Sequence, residues 1–268
     1  MSEPFIAALT ALYRQDPGAV LPNALWKTVQ QAPACQTTLV RQNGAVAELQ
    51  MVQGRRLLLY WHRRQQVDQL LPLLRSADFA LLHQDYLAQE SVAAVAAARF
   101  GQGRSYFRLI HHHERLAAPS LPPGFAVRPA EPQREAALIA DVIDRCYADL
   151  QPSPATVSAW TAHPTYWQGL WVWLWDTSGA QPAALGIAEL DQRIGEGSLE
   201  WIQVLPRYRG RGLGAALVAL LLARLAPLAS FTTVSGRQRP EGGPEGFYRR
   251  AGFGGSDVWH LLQRPTAA

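Results

Sequence analysis

The chain has 268 residues, of which 48% are hydrophobic and 17% charged, and its formal net charge is +4. This composition is typical of an ordinary globular protein, and the length favours about two domains. The mild positive charge suits an anionic ligand and argues against a strongly acidic surface. Without a basic run it does not indicate a nucleic-acid partner.

The cysteines and the longest apolar run exclude further classes. Cys35 and Cys146 lie far apart and outside any C-x-x-C pattern, so the sequence indicates neither a disulfide framework nor a zinc site. The N-terminus lacks a secretion-signal pattern, and the longest apolar run, Leu213 to Ala223, is too short to span a bilayer. We therefore expect a cytoplasmic protein with no metal, nucleic-acid or membrane partner, and the sequence leaves its oligomeric state open.

The N-terminal half opens with a helical pattern at Phe5, Leu9 and Leu12 and then changes to strands. Three strands joined by Asn43-Gly44 and Gln53-Gly54 turns have the chemistry of a hairpin meander. The predicted elements are strands at Thr37 to Arg41, Val46 to Val52 and Leu57 to Trp61, a helix at Val67 to Leu74, a strand at Phe79 to His83, a helix at Glu90 to Arg99 and a strand at Tyr106 to Ile110.

A proline-rich stretch, Arg115 to Gly124, has no periodicity and is the best candidate for a linker. Beyond it the sequence predicts a strand at Phe125 to Pro129, helices at Glu135 to Tyr147 and near Ala155 to Ala162, strands at Leu170 to Trp175, Ala183 to Leu190 and Ser198 to Leu205, a helix at Ala215 to Ala226, a strand at Phe231 to Ser235, a helix at Pro244 to Ala251 and a strand at Asp257 to Leu262. Three strands, helix, strand, helix, strand is the order in both halves. This faint repeat predicts two domains, residues 1–118 and 119–268.

A glycine loop lies between the strand ending near Leu205 and the buried helix from Ala215. Backbone N–H groups of such a loop converge at the positive end of the helix dipole, which favours a phosphate. An ATP-type loop requires Lys and then Ser or Thr after the last glycine, and Ala215-Ala216 stands there instead. A dinucleotide loop fits Gly210 to Ala215 on paper, but Phe231 to Arg237 lacks the carboxylate which that fingerprint expects.

The third pattern, R-x-x-G-x-G, is satisfied by Arg209 to Gly214, and an F-Y-x-x-x-G-F segment follows at Phe247 to Phe253. With these motifs the sequence resembles the GNAT superfamily of acyl-CoA-dependent N-acyltransferases, over about residues 124–268. The resemblance implies an α+β fold, a mixed central sheet flanked by helices, here as two GNAT-like domains. The first is interpreted as degenerate, because His62-Arg-Arg-Gln-Gln66 stands where its glycine loop would follow.

The resemblance also implies a site and a cofactor, acetyl-CoA. Its expected contacts are the strand backbone near Val204 and the loop residues Arg209, Gly210, Arg211, Gly212, Leu213, Gly214 and Ala215. Within the loop, contacts from the backbone amides are expected more firmly than contacts from the arginine side chains. Tyr248 would protonate the departing thiolate. The turn Glu241-Gly-Gly-Pro244 departs from the family, which commonly has an Asn before this helix.

Glu200 is the carboxylate on the strand before the loop, and the two-residue period predicts that Ser198, Glu200 and Ile202 share one face. In the family this strand lines the acceptor site, so Glu200 is the candidate base, acting directly or through water. An amine with a pKa near ~10 must lose a proton before it attacks. A salt bridge or an edge-strand charge is the alternative interpretation of Glu200, as ordinary packing is for Tyr248.

Aromatic residues and histidines are the remaining candidates. Trp171, Trp173 and Trp175 alternate on one strand face, which favours a core role over an aromatic acceptor pocket. Adjacent histidines point apart in a strand, so His111 to His113 do not indicate a metal site. His260 on the last predicted strand is a weaker candidate.

The expected function is therefore that of an enzyme, an N-acetyltransferase that moves an acetyl group from acetyl-CoA to a primary amine of a small molecule or peptide. The amine attacks the thioester directly, and no covalent enzyme intermediate is needed. A catalytically silent acyl-CoA-binding regulatory protein is the alternative, and a dinucleotide-dependent oxidoreductase is a more distant one.

Overall fold

The computed structural model describes residues 3–101, 103–147, 150–239 and 243–265. The first part of the chain forms α1 (Glu3–Gln15), α2 (Pro17–Val20), α3 (Leu25–Gln31), β1 (Gln36–Gln42), β2 (Ala45–Gln53), β3 (Arg56–His62), α4 (Leu70–Ser76), β4 (Phe79–His83), α5 (Gln84–Leu87), α6 (Glu90–Arg99) and β5 (Arg104–His111). The second part forms β6 (Phe125–Pro129), α7 (Pro132–Asp144), α8 (Pro154–Trp160), β7 (Trp171–Asp176), β8 (Gln181–Asp191), β9 (Glu196–Val204), α9 (Leu213–Leu225), β10 (Phe231–Arg237), α10 (Glu245–Arg250) and β11 (Gly254–Gln263).

The predicted helices and strands are confirmed with shifts at their ends, whereas α2, α3 and α5 were not predicted. The Pro17-Gly18 pair, which has turn chemistry, instead starts α2. Proline is favourable in the first turn of a helix, and the carboxylate of Asp16 caps this one by accepting a hydrogen bond from the Ala19 amide at 3.1 Å. Within the described residues, no helix is long and apolar enough to cross a lipid bilayer.

The chain forms two compact units, and each is interrupted in sequence. Unit 1 comprises residues 1–110, 235–246 and 254–268, and unit 2 comprises residues 111–234 and 247–253. The change at residue 110 lies close to the predicted boundary after 118. The predicted second domain, 119–268, differs from unit 2, because residues 235–246 and 254–268 belong to unit 1.

The strand order in unit 1 explains this grouping. The order is β1-β2-β3-β4-β11-β5, so the last strand of the chain lies between two strands of the N-terminal half. β11 is antiparallel to both neighbours, and Trp259 pairs with His83 on β4 and Tyr106 on β5. The buried indole of Trp259 donates a hydrogen bond to the Gly18 carbonyl at 2.8 Å. These pairings join segments far apart in sequence, so no local pattern predicts them.

In unit 2 the order is β10-β9-β8-β7-β6. The strands from β6 to β9 pair antiparallel, and β10 pairs parallel with β9. Helix α9 covers one face of the sheet, where a Cβ atom on Gly186 would lie 2.8 Å from Leu217. The other face packs against α7, since the buried Trp173 indole donates a hydrogen bond to Glu135 at 2.9 Å. Both faces of this sheet are therefore covered, and the candidate site lies at the end of β9.

Candidate active site

Strand β9 carries a bulge at Glu200. On β8, the adjacent residues Ile187 and Ala188 pair with Trp201 and Leu199, so Glu200 is the extra residue of the bulge. The parallel pairing with β10 also ends at Leu199. Within the described residues, the second half of β9 is thus paired on its β8 side alone. A bulge changes the direction of the side chains around it. Here the bulge lies at Glu200, the predicted base, just beyond the point where the pairing with β10 ends.

The bulge corrects one prediction. Ser198 and Glu200 do share a side of β9, since the Ser198 hydroxyl donates a hydrogen bond to Glu200 Oε1 at 2.9 Å. Ile202 does not, because it pairs with Gly186, which faces α9. The prediction for Ile202 was wrong because the extra residue interrupts the two-residue alternation.

The glycine loop forms the entry to α9. Gly210 and Gly212 have φ values of +77° and +79°, a left-handed conformation that strains other residues. Gly212 is the N-cap of α9, and its carbonyl accepts the Ala216 amide at 3.1 Å. The amides of the first turn, Leu213, Gly214 and Ala215, have no acceptors within the helix and stand at the positive end of its dipole. This arrangement suits a phosphate group.

The segment that contains Tyr248 packs against this loop. A Cβ atom on Gly214 would lie 3.4 Å from Phe247 and 3.8 Å from Val204. Gly214, in the first turn of α9, thus lies between Phe247 and the end of β9. The two sequence motifs, far apart in the chain, meet at this point.

The loop arginines are held by the protein. Arg209 Nε donates a hydrogen bond to the Val204 carbonyl at 3.2 Å. The guanidinium of Arg211 lies 4.8 Å from the Phe125 ring centre and 5.7 Å from that of Tyr208, a cation–π arrangement. Both arginine side chains thus contact the protein itself, which leaves the backbone amides of the loop as the candidate phosphate donors.

Tyr248 lies within α10 and is only 9% exposed. Its ring makes edge contacts with Phe247 and Phe253, at centroid distances of 5.0 and 5.7 Å. Burial, with a smaller contribution from Tyr147, raises the pKa of the Tyr248 hydroxyl above its usual value. The group therefore keeps its proton at neutral pH and is a donor.

Residues 137–253 match the model of the acetyltransferase (GNAT) family, a range that holds β9, the glycine loop and Tyr248. This segment belongs to the GNAT family. No curated protein matches the chain.

Solved structures extend the likeness over nearly the whole chain. A GCN5-related N-acetyltransferase from Sphaerobacter thermophilus has a TM-score of 0.71 at 16% identity, covering 98% of this chain and 92% of that one. A GNAT-family acetyltransferase from Colwellia psychrerythraea has a TM-score of 0.59 at 14% identity, covering 97% of each chain. A tandem GNAT protein from the clavulanic acid biosynthesis pathway also has a TM-score of 0.59 at 14% identity, covering 99% and 97%. At these identities the likeness is one of fold, and it agrees with a tandem arrangement.

A second carboxylate of the GNAT segment lies near Glu200. Glu189 on β8 pairs with Ser198 and so shares its face of the sheet. Glu189 is buried, and Thr165 donates a hydrogen bond to its Oε2 at 3.4 Å. Sequence reasoning missed Glu189, although a carboxylate in the otherwise apolar run from Ala183 to Leu190 is a usable signal.

Aromatic rings from three elements meet on the same face. Trp201 stacks on Trp160 at 5.5 Å with an interplanar angle of 22°, and Tyr147 meets Trp201 edge-on at 5.8 Å. Trp160 also contacts Trp171, at 6.3 Å. Trp171 is fully buried, as its predicted core role requires, whereas the other three rings are partly exposed. This partly exposed aromatic group, Tyr147, Trp160 and Trp201, was not predicted because its members are separated in sequence.

Two buried polar side chains on this face lack hydrogen-bond partners among the described residues. They are Gln203, which is 2% exposed and unpaired at both Nε2 and Oε1, and the indole nitrogen of Trp171. Gln203 pairs with Leu185 and lies two residues from Trp201, on the same side. Buried polar groups are seldom left unpaired, so each marks a place where a ligand or water would supply a bond.

The remaining candidates have structural roles. Burial raises the pKa of the Cys146 thiol although Arg209 opposes the shift, so this cysteine is not an activated nucleophile. His113 bonds to Thr232 at 2.7 Å, and His260 bonds to Ser105 at 3.1 Å in unit 1. The described residues contain no group of three or more side chains arranged to hold a metal ion. Glu241 and Gly242, in the turn that differs from the family pattern before α10, lie outside the described residues.

Proposed function

We propose that the GNAT segment transfers an acetyl group from acetyl-CoA to a primary amine of a small molecule or peptide. The contact of Gly214 with Phe247 carries this proposal, because it brings the phosphate-type loop and the Tyr248 segment together. Neither a helix entry nor a buried tyrosine alone would specify this chemistry. The contact supports the proposal because Phe247, which packs against the candidate cofactor loop, is the neighbour of the candidate proton donor Tyr248.

The residues of the loop fit a pyrophosphate. A Cβ atom on Gly210 would meet nothing within 4 Å, and one on Gly212 would meet only Pro122, at 3.7 Å. The space above the loop is therefore open to a ligand that approaches the backbone closely. Acetyl-CoA, when bound, supplies an activated thioester carbonyl.

Proton transfer is assigned to two residues. Glu200 accepts a proton from the ammonium group of the acceptor, directly or through one water, while Ser198 orients its carboxylate. Tyr248 donates its proton to the sulfur that departs as the carbon–sulfur bond breaks. The free amine attacks the carbonyl directly, which is consistent with the unactivated state of Cys146.

The acceptor site is assigned to the face that carries Glu200, Glu189 and the partly exposed aromatic group. Carboxylates attract the ammonium form of an amine, and aromatic faces bind cations and apolar substituents. Gln203 adds a buried amide that can bond to a polar acceptor atom.

Release of CoA from acetyl-CoA in the presence of a panel of primary amines tests the proposal. At least one amine should give turnover that depends on its concentration and disappears when acetyl-CoA is omitted. Saturable acetyl-CoA binding with no turnover for any amine would favour the silent acyl-CoA-binding alternative. Binding of NADH instead of acetyl-CoA would favour the oxidoreductase.

A further inference from the structure

Unit 1 contains a cavity of about 530 Å³ on one face of the meander β1-β2-β3. The segment 66–69 borders it. More of the lining is polar than apolar, and its main polar members are Thr38, Glu48, Gln50, Tyr60, His62 and Asp68. A volume of this size is within the range of small-molecule sites.

Strand register explains why one face is polar. Glu48 on β2 pairs with Val40 on β1 and with His62 on β3. Gln50, two residues on, pairs with Thr38 and Tyr60, so it shares the face of Glu48. The residue between them, Leu49, points to the opposite face and is fully buried. The polar side chains are thus gathered on the cavity face by the pleat itself.

Glu48 is the central group of this cavity, and it is only 5% exposed. Its Oε1 accepts a hydrogen bond from Gln50 Nε2 at 2.6 Å. The Tyr60 hydroxyl donates both to the Gln66 carbonyl at 2.8 Å and, more weakly, to Glu48 Oε2 at 3.4 Å. One carboxylate oxygen therefore has only a long and shared donor.

No basic side chain among the described residues forms a salt bridge with Glu48. A buried carboxylate without a counter-charge is costly, and removing it from water is compensated only by a cation or by several strong donors. Asp68 lines the same cavity and adds a second negative charge. The cavity is thus suited to a cationic ligand.

The other polar groups are suited to hydroxyls. His62 Nδ1 accepts hydrogen bonds from the amides of Arg64 and Gln66, at 3.1 and 3.3 Å, so the ring proton resides on Nε2, a donor. The amides of Gln42 and Gln69 also line the cavity. An amide side chain both donates and accepts, which complements a hydroxyl, itself both donor and acceptor.

We propose that the cavity of unit 1 binds a polyhydroxylated organic ammonium of the amino-sugar class, with the ammonium group on Glu48 Oε2. The proposal requires no chemical step in unit 1 and is independent of the function assigned to unit 2. It gives the half of the chain that lacks a glycine loop a ligand of its own.

Isothermal titration calorimetry of the full chain with glucosamine, at a slightly acidic pH that keeps its amine charged, tests this site. Glucose is the matched neutral probe, because it has a hydroxyl in place of the ammonium. We expect saturable binding of one glucosamine and at least tenfold weaker binding of glucose, a difference of about 1.4 kcal/mol.

Three variants locate the site. Glu48→Gln removes the charge and should weaken glucosamine binding at least tenfold. Thr38→Trp fills the cavity from an exposed position on β1 and should abolish binding without disturbing the core. Glu90→Gln makes the same charge change as Glu48→Gln at an exposed residue at the start of α6, and should bind like the unaltered chain.

Absence of saturable glucosamine binding, or equal affinity for glucose, would overturn the proposal. Unchanged binding in Thr38→Trp would also overturn it, because the ligand would then occupy another site. Should Glu48→Gln fold poorly, Thr38→Trp and the comparison with glucose still decide.

Discussion

Replacing Gly212 by valine tests the glycine loop most directly. Its φ of +79° places a β-branched residue in a left-handed conformation, at a cost of roughly 1–3 kcal/mol. The new Cβ would meet only Pro122, at 3.7 Å, so little steric cost arises within the protein. The expected fall in melting temperature is about 2–12 °C for a domain of this size.

The effect on acetyl-CoA has a separate origin. The γ-carbons of valine occupy the space that a pyrophosphate needs if it is to approach the amides of Leu213 and Gly214. We expect the affinity to fall at least tenfold, which corresponds to about 1.4 kcal/mol. Calorimetric titration with acetyl-CoA, below the melting temperature of the variant, measures this loss.

Gly44→Val is the matched control. Gly44 has a φ of +77° in the β1–β2 turn, and its Cβ would meet nothing within 4 Å. Its backbone strain is therefore similar, but it lies outside the loop. A folded Gly212→Val protein that binds acetyl-CoA as the unaltered chain does would refute the loop assignment, and so would an equal loss in Gly44→Val.

Three further predictions concern the proton donor, the base and acid stability. Tyr248→Phe should lower kcat by roughly 10²-fold while melting temperature and acetyl-CoA affinity stay constant, whereas an unchanged kcat would leave the hydroxyl without a catalytic role. Glu200→Gln should lower kcat/KM by roughly 10²-fold, with part of the activity returning at higher pH as more acceptor is deprotonated; full activity at neutral pH would exclude it as the base. Burial pushes the pKa of Glu135 upward, but hydrogen bonds from Glu131, Trp173 and Arg128 hold it below its ordinary value. The stability that ionised Glu135 contributes at neutral pH should therefore be lost as the pH falls through that lowered pKa. In urea unfolding, Glu135→Gln should be about 1.5–3 kcal/mol less stable at neutral pH, and its free energy of unfolding should fall less steeply in acid.

Elements with local signals could be predicted from the sequence. The Asn43-Gly44 turn is one, since both residues have positive φ values, 51° and 77°, as a two-residue hairpin loop requires. The strand Phe79–His83 and the helix Glu90–Arg99 agree with their predicted bounds to the residue. In each, composition, periodicity and flanking residues favour the same structure, so tertiary contacts do not have to override them.

Features fixed by partners could not be predicted. The bulge at Glu200 depends on how β8 pairs with β9, and one extra residue moves Ile202 to the other face. Arg211 lies over the ring of Phe125, which is 86 residues away in sequence, and no local pattern near Arg211 predicts this contact. The glycine loop was predictable because its φ values and helix entry are local, whereas the acceptor face is built from long-range contacts.

The place of β11 has a consequence for how the protein is made. Unit 1 needs this strand between β4 and β5, yet β11 (Gly254–Gln263) is synthesised about 150 residues after β5 ends at His111. At elongation rates of about 5–20 residues per second, the edges of β4 and β5 that pair with β11 stay unpaired for roughly 8–30 s during synthesis. Such edges template pairing with other chains, so this interval is when we expect the protein to depend most on chaperones.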